Sequence, residues 1–210
     1  MDYDSLQKLY ETRRNYSDFH NIKDKPLKEE HIWKILNAFT QPPSCQHRYE
    51  HKGFIVHSEK DKQYLYDNIA TCCTDLEDYP CPESEEECDD WREQGLRFGN
   101  INPQVLAPLV VVWYFDHKSK WDIHDTSYLD LGLGCWNSIL TAQSLGIQSS
   151  FCGCFNWKYM QKYFDIPGIP FVMTCYGYNN SKRSVAPFQE IHPGKVRPIP
   201  FDHMIPNYKK

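Results

Sequence analysis

The chain has 210 residues, of which 40% are hydrophobic and 15% aromatic, and its 23 basic and 28 acidic side chains give a net charge of −5. A chain of this length buries a core without staples, and the composition excludes disordered, collagen-like and low-complexity proteins. The mildly acidic balance argues against nucleic acid or an anionic membrane as the partner. No stretch approaches the roughly 20 apolar residues of a membrane span.

The cysteines and the first residues of the chain bear on its compartment. The opening Met-Asp-Tyr-Asp lacks the basic start and apolar core of a signal peptide. Without an export signal, an odd number of cysteines favours free thiols in a reducing compartment over a disulfide framework. We therefore expect a cytoplasmic protein. The nine cysteines are Cys45, Cys72, Cys73, Cys81, Cys88, Cys135, Cys152, Cys154 and Cys175.

Two helices are predicted in the first part of the chain. Residues 5–14 are good helix formers with their apolar positions on one face, and Ser5 is a candidate N-cap. A second helix opens at residues 24–26 and ends before Pro42 and Pro43, because a proline disfavours helical backbone in the residue before it. Its apolar side chains recur at helical spacing and are Ile32, Ile35, Leu36 and Phe39.

The next part of the chain is predicted to hold a short strand at residues 54–56 and a helix with polar spacing at residues 58–76. Residues 78–90 are irregular and rich in acidic side chains, which is typical of a solvated surface loop. We interpret residues 72–100 as a variable insert or lid, with a charged surface loop as the simpler alternative.

The second half of the chain alternates strong strands and helices. Residues 106–115 form the most apolar strand, which is expected at the centre of a sheet with both faces covered. The longest helix is predicted at residues 126–145, with Gly146 where a C-terminal cap belongs. The remaining predictions are strands at 148–154 and 171–178 and a short helix at 157–164.

One apolar stripe on the long predicted helix is expected to face the core. Its members are spaced at helical intervals and are Leu129, Leu133, Trp136, Ile139 and Leu140. Asp130 lies near the start of the same helix, and we interpret it as a charge that favours the helix N-terminus.

The order of these elements predicts one α+β domain over residues 1–210. Helices and strands alternate without a strict βαβ rhythm, and no internal repeat or linker divides the chain. We therefore expect a central, mostly antiparallel or mixed sheet flanked by helices. The polar, proline-rich tail at residues 179–210 is expected to wrap over this domain.

Basic residues near both ends of the chain could bind one phosphate group. Arg13, Arg14 and Asn15 follow the first predicted helix, and guanidinium forks match phosphate oxygens while staying charged. Lys195 and Arg197 are two positions apart in an extended segment, so they lie on one side and could reach the same anion. Taken alone, a surface arginine pair is more often only solvated.

Two further segments offer ligand contacts on loops, where binding groups concentrate. Between the second predicted helix and the first strand, Ser44, Gln46 and His47 supply hydroxyl, amide and imidazole groups. After the long predicted helix, Gly153 follows Cys152, and a glycine there lets a flat ligand approach the backbone closely.

In order and spacing, these segments resemble the nitroreductase family of flavoproteins that use FMN. Members open with a helix and an Arg-Arg-Ser-like motif, continue with an amphipathic helix ending in Ala-Pro-Ser, and pass through a Phe-Ile-Val strand to an apolar strand after Ala-Pro. The resemblance covers nearly the whole chain, roughly residues 11–205. The later matching segments are Ala107-Pro108-Leu109, Asp130-Leu131-Gly132, Ser144-Leu145-Gly146-Ile147, Cys154-Phe155-Asn156, Gly177-Tyr178 and Arg197-Pro198-Ile199.

The resemblance implies an FMN-dependent oxidoreductase with NAD(P)H as the electron donor and a small acceptor such as a nitroaromatic or a quinone. It implies a homodimer with FMN at the subunit interface and no catalytic side chain, because the chemistry is centred on the flavin. The backbone around Cys152 and Gly153 would meet the flavin ring. The other residues implied at the cofactor are Arg13, Arg14, Asn15, Ser17, Ser44, Gln46, His47, Lys195 and Arg197.

Two departures from the family pattern limit what carries over. Where the family has a Lys or Arg facing flavin N1 and O2, this chain has Ser17. Either another cation favours the reduced flavin, with Arg48 and Lys52 as candidates, or the flavin's potential is lower than usual. The family's Asn-x-Gln-Pro-Trp loop is replaced by residues 47–51. Since that loop shapes the substrate side, the substrate class does not carry over.

Two alternative functions stay open. The altered loop admits other flavin chemistry, namely dehalogenation, dehydrogenation of a peptide product, or conversion of the flavin itself. The second alternative is a non-enzymatic, cysteine-rich metal-binding protein that uses Cys72, Cys73, Cys81 and Cys88. The spacing of these cysteines lacks the tight Cys-x₂₋₄-Cys pair that is typical of zinc sites.

Overall fold

Four antiparallel strands form the sheet at the centre of the computed structural model, which describes residues 2–13, 19, 25–44, 48–69, 103–153, 155 and 157–178. The strands, in chain order, are β1 (His51–Val56), β2 (Leu109–Phe115), β3 (Gln148–Cys152) and β4 (Ile169–Gly177). Their spatial order is β1-β2-β4-β3, and each neighbouring pair is antiparallel. The α+β class is confirmed. The predicted insert at 72–100 and tail at 179–210 lie outside the described residues.

Five α-helices surround the sheet in the described part of the chain. They are α1 (Tyr3–Thr12), α2 (Glu29–Phe39), α3 (Glu59–Tyr64), α4 (Asp125–Ser144) and α5 (Trp157–Phe164). A π-helical turn at Leu65–Ile69 continues α3, and 3₁₀ turns lie at Pro103–Leu106 and Lys120–Asp122. No helix among these residues is both long and apolar enough to cross a membrane.

Most predicted elements are present, with shifted ends. Helix α1 is capped by Asp2 rather than Ser5, because the Ser5 backbone N–H donates to the Asp2 carboxylate at 2.8 Å. Helix α2 begins at Glu29 rather than at residues 24–26, because Lys28 has extended backbone as the N-cap. The predicted strand at 106–115 starts only at Leu109, after a 3₁₀ turn.

Two apolar clusters cover the two faces of the sheet. One cluster packs Leu65 and Met160 against strand residues such as Val110 and Met173, on the side of α3 and α5. The other packs α2 and α4 against the opposite face, with Ile35 among its buried members. All seven residues of β2 are buried, as the continuous apolar run predicts for a central strand.

The predicted core stripe of the long helix is wrong for most of its members. Leu129 is 62% exposed, and Leu133 and Trp136 are each 39% exposed, although Ile139 is buried. We call Leu129, Leu133 and Trp136 the outer stripe. The buried face, which we call the inner face, consists mostly of small and polar side chains, because α4 packs closely on the sheet and α2. Its members are Ser127, Asp130, Leu131, Gly134, Cys135, Ser138, Ile139 and Ala142.

One buried hydrogen bond joins the inner face of α4 to the sheet, and a second joins two strands. The Ser138 hydroxyl on α4 and the Tyr176 hydroxyl on β4 are 2.7 Å apart, and the Trp113 ring N–H on β2 donates to the Thr174 hydroxyl on β4 at 2.8 Å. Burial raises the pKa of Tyr176. Because the Ser138–Tyr176 pair is satisfied inside the core, it helps to fix the position of α4 on the sheet.

Close packing explains the glycine in the middle of α4. The Phe39 ring stacks on Trp113 with 3.4 Å between ring centroids and 4° between their planes. A Cβ at Gly134 would lie 2.8 Å from the Phe39 ring. Gly146, the residue after the C-cap Leu145 of α4, has φ +72°, the left-handed conformation predicted for it.

Candidate functional site

The loop between α2 and β1, residues 40–50, is fastened to α4 by a buried hydrogen bond. The Ser44 hydroxyl donates to the Asp130 carboxylate at 2.6 Å, and both residues are buried. The Tyr49 backbone N–H donates back to the Ser44 hydroxyl at 3.1 Å. Ser44 therefore links Tyr49 to Asp130 on the long helix.

A second anchor holds the end of the same loop. The Glu50 carboxylate accepts a short hydrogen bond from the Ser127 hydroxyl, which lowers the pKa of Glu50. Arg48 and His117 lie 3.4 and 3.5 Å from the same carboxylate. Ser127 and Asp130 are three residues apart and share one face of α4. One helix face thus holds both sides of the loop.

Tyr49 lies between the two anchors in an unusual backbone conformation. Its φ is +46°, in the left-handed region that residues with a Cβ rarely adopt. Its side chain is 49% exposed at the rim of a small pocket. The pocket is lined by Phe39, Thr40, Pro42, Pro43, Ser44, Tyr49, His51 and Asp130.

His51, the first residue of β1, brings an imidazole to this pocket. The Phe39 ring meets the His51 ring edge-on, with 5.2 Å between their centroids. Its buried Nδ1 atom has no hydrogen-bond partner among the described residues. Burial lowers the pKa of His51, and the nearby Asp130 and Glu50 oppose that shift. Burial therefore favours the neutral form of the imidazole.

The end of β3 presents backbone rather than sulfur. The Cys152 side chain is buried in the apolar cluster of α3 and α5, whereas the next residue, Gly153, is exposed. A Cβ at Gly153 would lie 3.9 Å from the Phe171 carbonyl oxygen. A register shift between β2 and β4 leaves Phe171 as the bulged residue, and its ring is 43% exposed. A bulge of this kind re-aims a side chain.

Two buried thiols, those of Cys135 and Cys175, are not activated. Burial raises the pKa of the Cys135 thiol to about 12 and also raises the pKa of Cys175. Among the described residues, Cys135, Cys152 and Cys175 are buried and form no disulfide bond. Since the thiolate is the reactive form of cysteine, Cys135 and Cys175 serve packing rather than redox chemistry.

Arg13 directly follows α1 and lies against α4. Its guanidinium carbon is 5.3 Å from the centre of the Trp136 ring. The Tyr10 ring also stacks on Trp136, with 6.2 Å between the ring centroids. The Arg13 guanidinium and the Tyr10 ring therefore extend the outer stripe at Trp136.

The two alternative cations of the sequence analysis are paired with carboxylates. Lys52 forms a short, exposed ion pair with Asp116, which raises the pKa of Lys52 and lowers that of Asp116. Arg48 is paired with Glu50. Each positive charge is thus balanced by a neighbouring negative one.

Four of the predicted site residues fall in the described part of the chain: Arg13, Ser44, Cys152 and Gly153. Ser44 lies in the fastened loop, Cys152 and Gly153 lie at the end of β3, and Arg13 lies beside the outer stripe. The predicted residues outside the described part are Arg14, Asn15, Ser17, Gln46, His47, Lys195 and Arg197.

The residues that hold the loop were not predicted from the sequence. Asp130 lies in the second turn of α4 and faces inward, so its partner is Ser44 rather than only the helix dipole. Ser127, Glu50 and Tyr49 were not identified. The available signal was a hydroxyl and a carboxylate at i, i+3 in a helix, because two polar residues on a packed face need polar partners.

The chain was compared with known families and structures. The model of the family described as "Nitroreductase family" matches residues 21–178. No curated protein matches the chain in sequence. Among the described residues, no group of three or more histidine, cysteine, aspartate or glutamate side chains is placed to hold a metal ion. The cysteines of the metal-binding alternative, at 72, 73, 81 and 88, lie outside the described residues.

Solved structures share the fold. NfrA1 from B. megaterium is 16% identical, with a TM-score of 0.65 and coverage of 98% of this chain and 74% of that one. A nitroreductase family protein from Clostridium difficile 630 is 17% identical, with a TM-score of 0.62 and coverage of 97% and 96%. A nitroreductase with bound FMN from Desulfitobacterium hafniense DCB-2 is 21% identical, with a TM-score of 0.58 and coverage of 87% and 93%.

Proposed function

Because the chain belongs to the nitroreductase family, we propose that it is an FMN-dependent oxidoreductase that takes electrons from NAD(P)H and passes them to a small acceptor, such as a nitroaromatic or a quinone. The observation that carries the proposal is the family match over residues 21–178, which includes both the fastened α2–β1 loop and the end of β3. The chemistry that bound FMN supplies is two-electron transfer from the nicotinamide to the acceptor.

The described residues fit such a cofactor. A flavin ring needs a flat, partly apolar surface with backbone groups nearby, and the exposed Gly153 lies beside the exposed Phe171. A phosphate needs cationic donors, and Arg13 supplies a guanidinium directly after α1. Arg14, Asn15, Lys195 and Arg197 are proposed to join Arg13 at the phosphate.

The proposed contribution of each described site residue follows from its contacts. The Ser44 hydroxyl is occupied by Asp130 and the Tyr49 N–H, so Ser44 positions the loop over the cofactor. The Cys152 sulfur is buried, so this segment offers its backbone to the flavin through Gly153. Gln46 and His47 are proposed to line the flavin side of the loop, and Ser17 stands where the family has a cation.

We further propose that two copies of the chain pair through the outer stripe of α4, with FMN between them. Leu129, Leu133 and Trp136 expose a continuous apolar strip along a long helix, and Tyr10 extends it. A soluble chain rarely leaves such a contiguous strip uncovered. Arg13 borders the strip, so the proposed phosphate ligand and the proposed interface are adjacent.

The visible spectrum of the purified protein tests the cofactor and the donor together. We expect flavin absorption bands that NADH or NADPH bleaches under nitrogen, and parallel initial-rate plots because the donor and the acceptor react in turn. A colourless protein that gains no absorption from added FMN would overturn the proposal. An intersecting kinetic pattern would overturn the alternating order.

An arginine variant and a lysine control test whether Arg13 binds the flavin phosphate. Arg13→Ala is expected to lower FMN retention strongly, since a charge-assisted contact contributes about 1.5–3 kcal/mol. The matched control is Lys34→Ala, which removes an exposed cation paired with Glu30 on α2. Unchanged flavin content in Arg13→Ala would remove Arg13 from the phosphate site while leaving the rest of the proposal in place.

A further inference from the structure

We propose that Tyr64 and Tyr163 form an oxidative modification site, at which a one-electron oxidant joins the two rings by a dityrosine bond and so cross-links α3 to α5. Tyr64 is the last residue of α3, and Tyr163 is the last but one of α5. The pair lies in neither the α2–β1 loop nor the end of β3, so the inference goes beyond the proposed function and needs no bound cofactor. Three observations carry it: the stacking of the rings, the carboxylate at the Tyr163 hydroxyl, and the exposure of Tyr163.

The rings of Tyr64 and Tyr163 lie face to face in van der Waals contact. Their centroids are 3.9 Å apart, and their planes differ by 6°. Aromatic pairs in proteins usually have centroids about 4.5–7 Å apart, in offset or edge-on arrangements. Carbon atoms in contact are about 3.5–4.0 Å apart, so centroids at 3.9 Å leave little room for an offset. The carbons of one ring therefore lie over those of the other, and two radicals formed on these rings are adjacent from the start.

Neighbouring side chains hold both rings in place. The Phe164 ring meets the Tyr163 ring edge-on, with 4.8 Å between their centroids and 90° between their planes. Phe164 in turn packs against Phe54 of β1 at 5.3 Å, and Tyr64 packs against the apolar cluster of α3 and α5. Because the two reacting groups are held together before oxidation, their coupling needs no encounter by diffusion.

A carboxylate is placed to take the proton of the Tyr163 hydroxyl. This hydroxyl donates to Asp61 Oδ1 at 3.1 Å, and the other oxygen of Asp61 accepts from the Ser58 hydroxyl at 2.6 Å. Partial burial and the hydrogen bond to Asp61 raise the pKa of Tyr163, so the phenol keeps its proton at neutral pH until an electron leaves. Since an oxidised phenol is strongly acidic, Asp61 acts as the base that removes the proton with the electron.

Tyr163 is open to small oxidants, because its side chain is 37% exposed. Exposure alone does not make such a site. Tyr3 is 75% exposed, but it has no aromatic ring in contact among the described residues, so its oxidation gives no bond within the chain. The stacked partner is what distinguishes Tyr163 from Tyr3.

The cross-link forms with the loss of two electrons and two protons. Each tyrosine gives one electron to the oxidant and one proton to a base, which is Asp61 for Tyr163 and water for Tyr64. The two phenoxyl radicals then join through ring carbons ortho to their oxygens. The hydrogens on these two carbons move as protons to the oxygens, which restores both phenols, and Asp61 passes its proton to water.

Photo-oxidation of the purified protein tests the site. Light and persulfate convert tris(bipyridyl)ruthenium(II) to ruthenium(III), a small one-electron oxidant, and persulfate is the final acceptor of both electrons. At low protein concentration we expect a monomer that has lost two hydrogens, shows dityrosine fluorescence and yields one cross-linked peptide containing both Tyr64 and Tyr163. An unchanged monomer mass would overturn the proposal, as would dityrosine that joins only separate chains or other tyrosines.

Conservative variants separate the chemistry from the packing. Tyr64→Phe and Tyr163→Phe keep the stacked rings but remove one hydroxyl each, and each should abolish the internal cross-link while the protein still melts cooperatively. Tyr3→Phe changes the exposed tyrosine of α1 and should leave the yield of the cross-link unchanged. A cross-link that persists in Tyr163→Phe, or one that is lost in Tyr3→Phe, would overturn the proposal.

The rate of cross-linking tests the role of Asp61. Asp61→Asn keeps an oxygen near the Tyr163 hydroxyl but is a much weaker base, so the initial rate of cross-linking should fall about tenfold. An unchanged rate would overturn the assignment of Asp61 as the proton acceptor.

Thermal melting measures what the cross-link does to the fold. A bond between residues about 100 positions apart removes conformational freedom from the unfolded chain. The melting temperature of the cross-linked monomer should therefore rise by about 5–15 °C over that of the untreated protein. Photo-oxidised Tyr163→Phe serves as the control for other oxidative damage and should show no rise. A cross-linked monomer that melts no higher than this control would overturn the inference that the bond ties α3 to α5 in the native arrangement.

Discussion

The two faces of α4 depart from the usual distribution of polar and apolar side chains on a helix. The inner face, against the sheet, includes Ser127, Asp130 and Ser138, all of them buried. The outer stripe exposes Leu129, Leu133 and Trp136. On a typical surface helix the apolar stripe faces the core and the polar face meets water.

The two faces of α4 have different roles in the structure. The polar groups of the inner face have specific partners: Ser127 and Asp130 hold the α2–β1 loop, and Ser138 meets Tyr176. The outer stripe is apolar and exposed, and it is the surface through which we propose that two copies of the chain pair.

The largest expected effect comes from truncating one leucine on each face. Leu131→Ala on the inner face should lower the free energy of unfolding by about 2–5 kcal/mol, because the side chain is only 1% exposed and its loss leaves a cavity. Leu129→Ala should change the unfolding of the separated chain by less than about 0.5 kcal/mol, but it should weaken self-association. Urea titration and sedimentation measure the two quantities, and equal destabilisation by both variants would break the comparison.

Two glycines two residues apart give the next largest contrast. Gly134→Ala should destabilise the protein by about 1–3 kcal/mol, since the new methyl group meets the stacked Phe39 ring at 2.8 Å. Gly132→Ala has open space within 4 Å and should stabilise α4 by about 0.5–1 kcal/mol through helix propensity. Thermal melting should therefore shift in opposite directions, and shifts of the same sign would refute the assigned faces.

A serine pair tests the polar anchor of the inner face. Ser44→Ala removes one donor from the buried Asp130 carboxylate and should lower the free energy of unfolding by about 1–2 kcal/mol. Ser144→Ala, at the exposed end of α4, should change it by less than about 0.5 kcal/mol. Chemical denaturation with matched m-values measures both, and a neutral Ser44→Ala would show that the loop is held by other contacts.

The smallest expected effect is a pH dependence from His51. Burial lowers its folded-state pKa, so the unfolded chain takes up the proton first as the pH falls below about 6.5. Stability should therefore decrease below that pH, and His51→Gln should make the decrease shallower. The control is His57→Gln, an exposed histidine directly after β1. The measurement is the urea midpoint between pH 7 and pH 5, and a steeper decrease in His51→Gln would contradict the assignment.

The sequence predicted the elements whose side chains have a single interpretation. The continuous apolar run of β2, the helix at 157–164 and the glycine after α4 were all found, because a continuous apolar run, an amphipathic period and a glycine after a helix each have one common structural solution. The nitroreductase family was identified in the same way, from the order of short motifs rather than from any one of them.

The sequence did not predict which face of α4 is buried or what Asp130 does. The period of apolar residues identifies a face that avoids water, but it does not say whether the same chain or another molecule covers it. The Ser44–Asp130 bond joins positions 86 residues apart, and no local pattern encodes such a partner. Tyr49 was missed for a related reason, since its backbone angle follows from anchors on a distant helix.

The position of β4 in the sheet has a consequence for how the chain is made. β4 is the last described strand in sequence, yet it lies between β2 and β3 and supplies partners to both. During synthesis, the fully apolar β2 leaves the ribosome before its partner β4. The edge of β2 that pairs with β4 stays unpaired until α4, β3 and α5 have been made and residues 169–177 follow. Such long-range pairing is slow, and unpaired apolar strands aggregate. Yield of folded protein should therefore depend on temperature and chaperones, and a chain stopped before residue 169 should be insoluble.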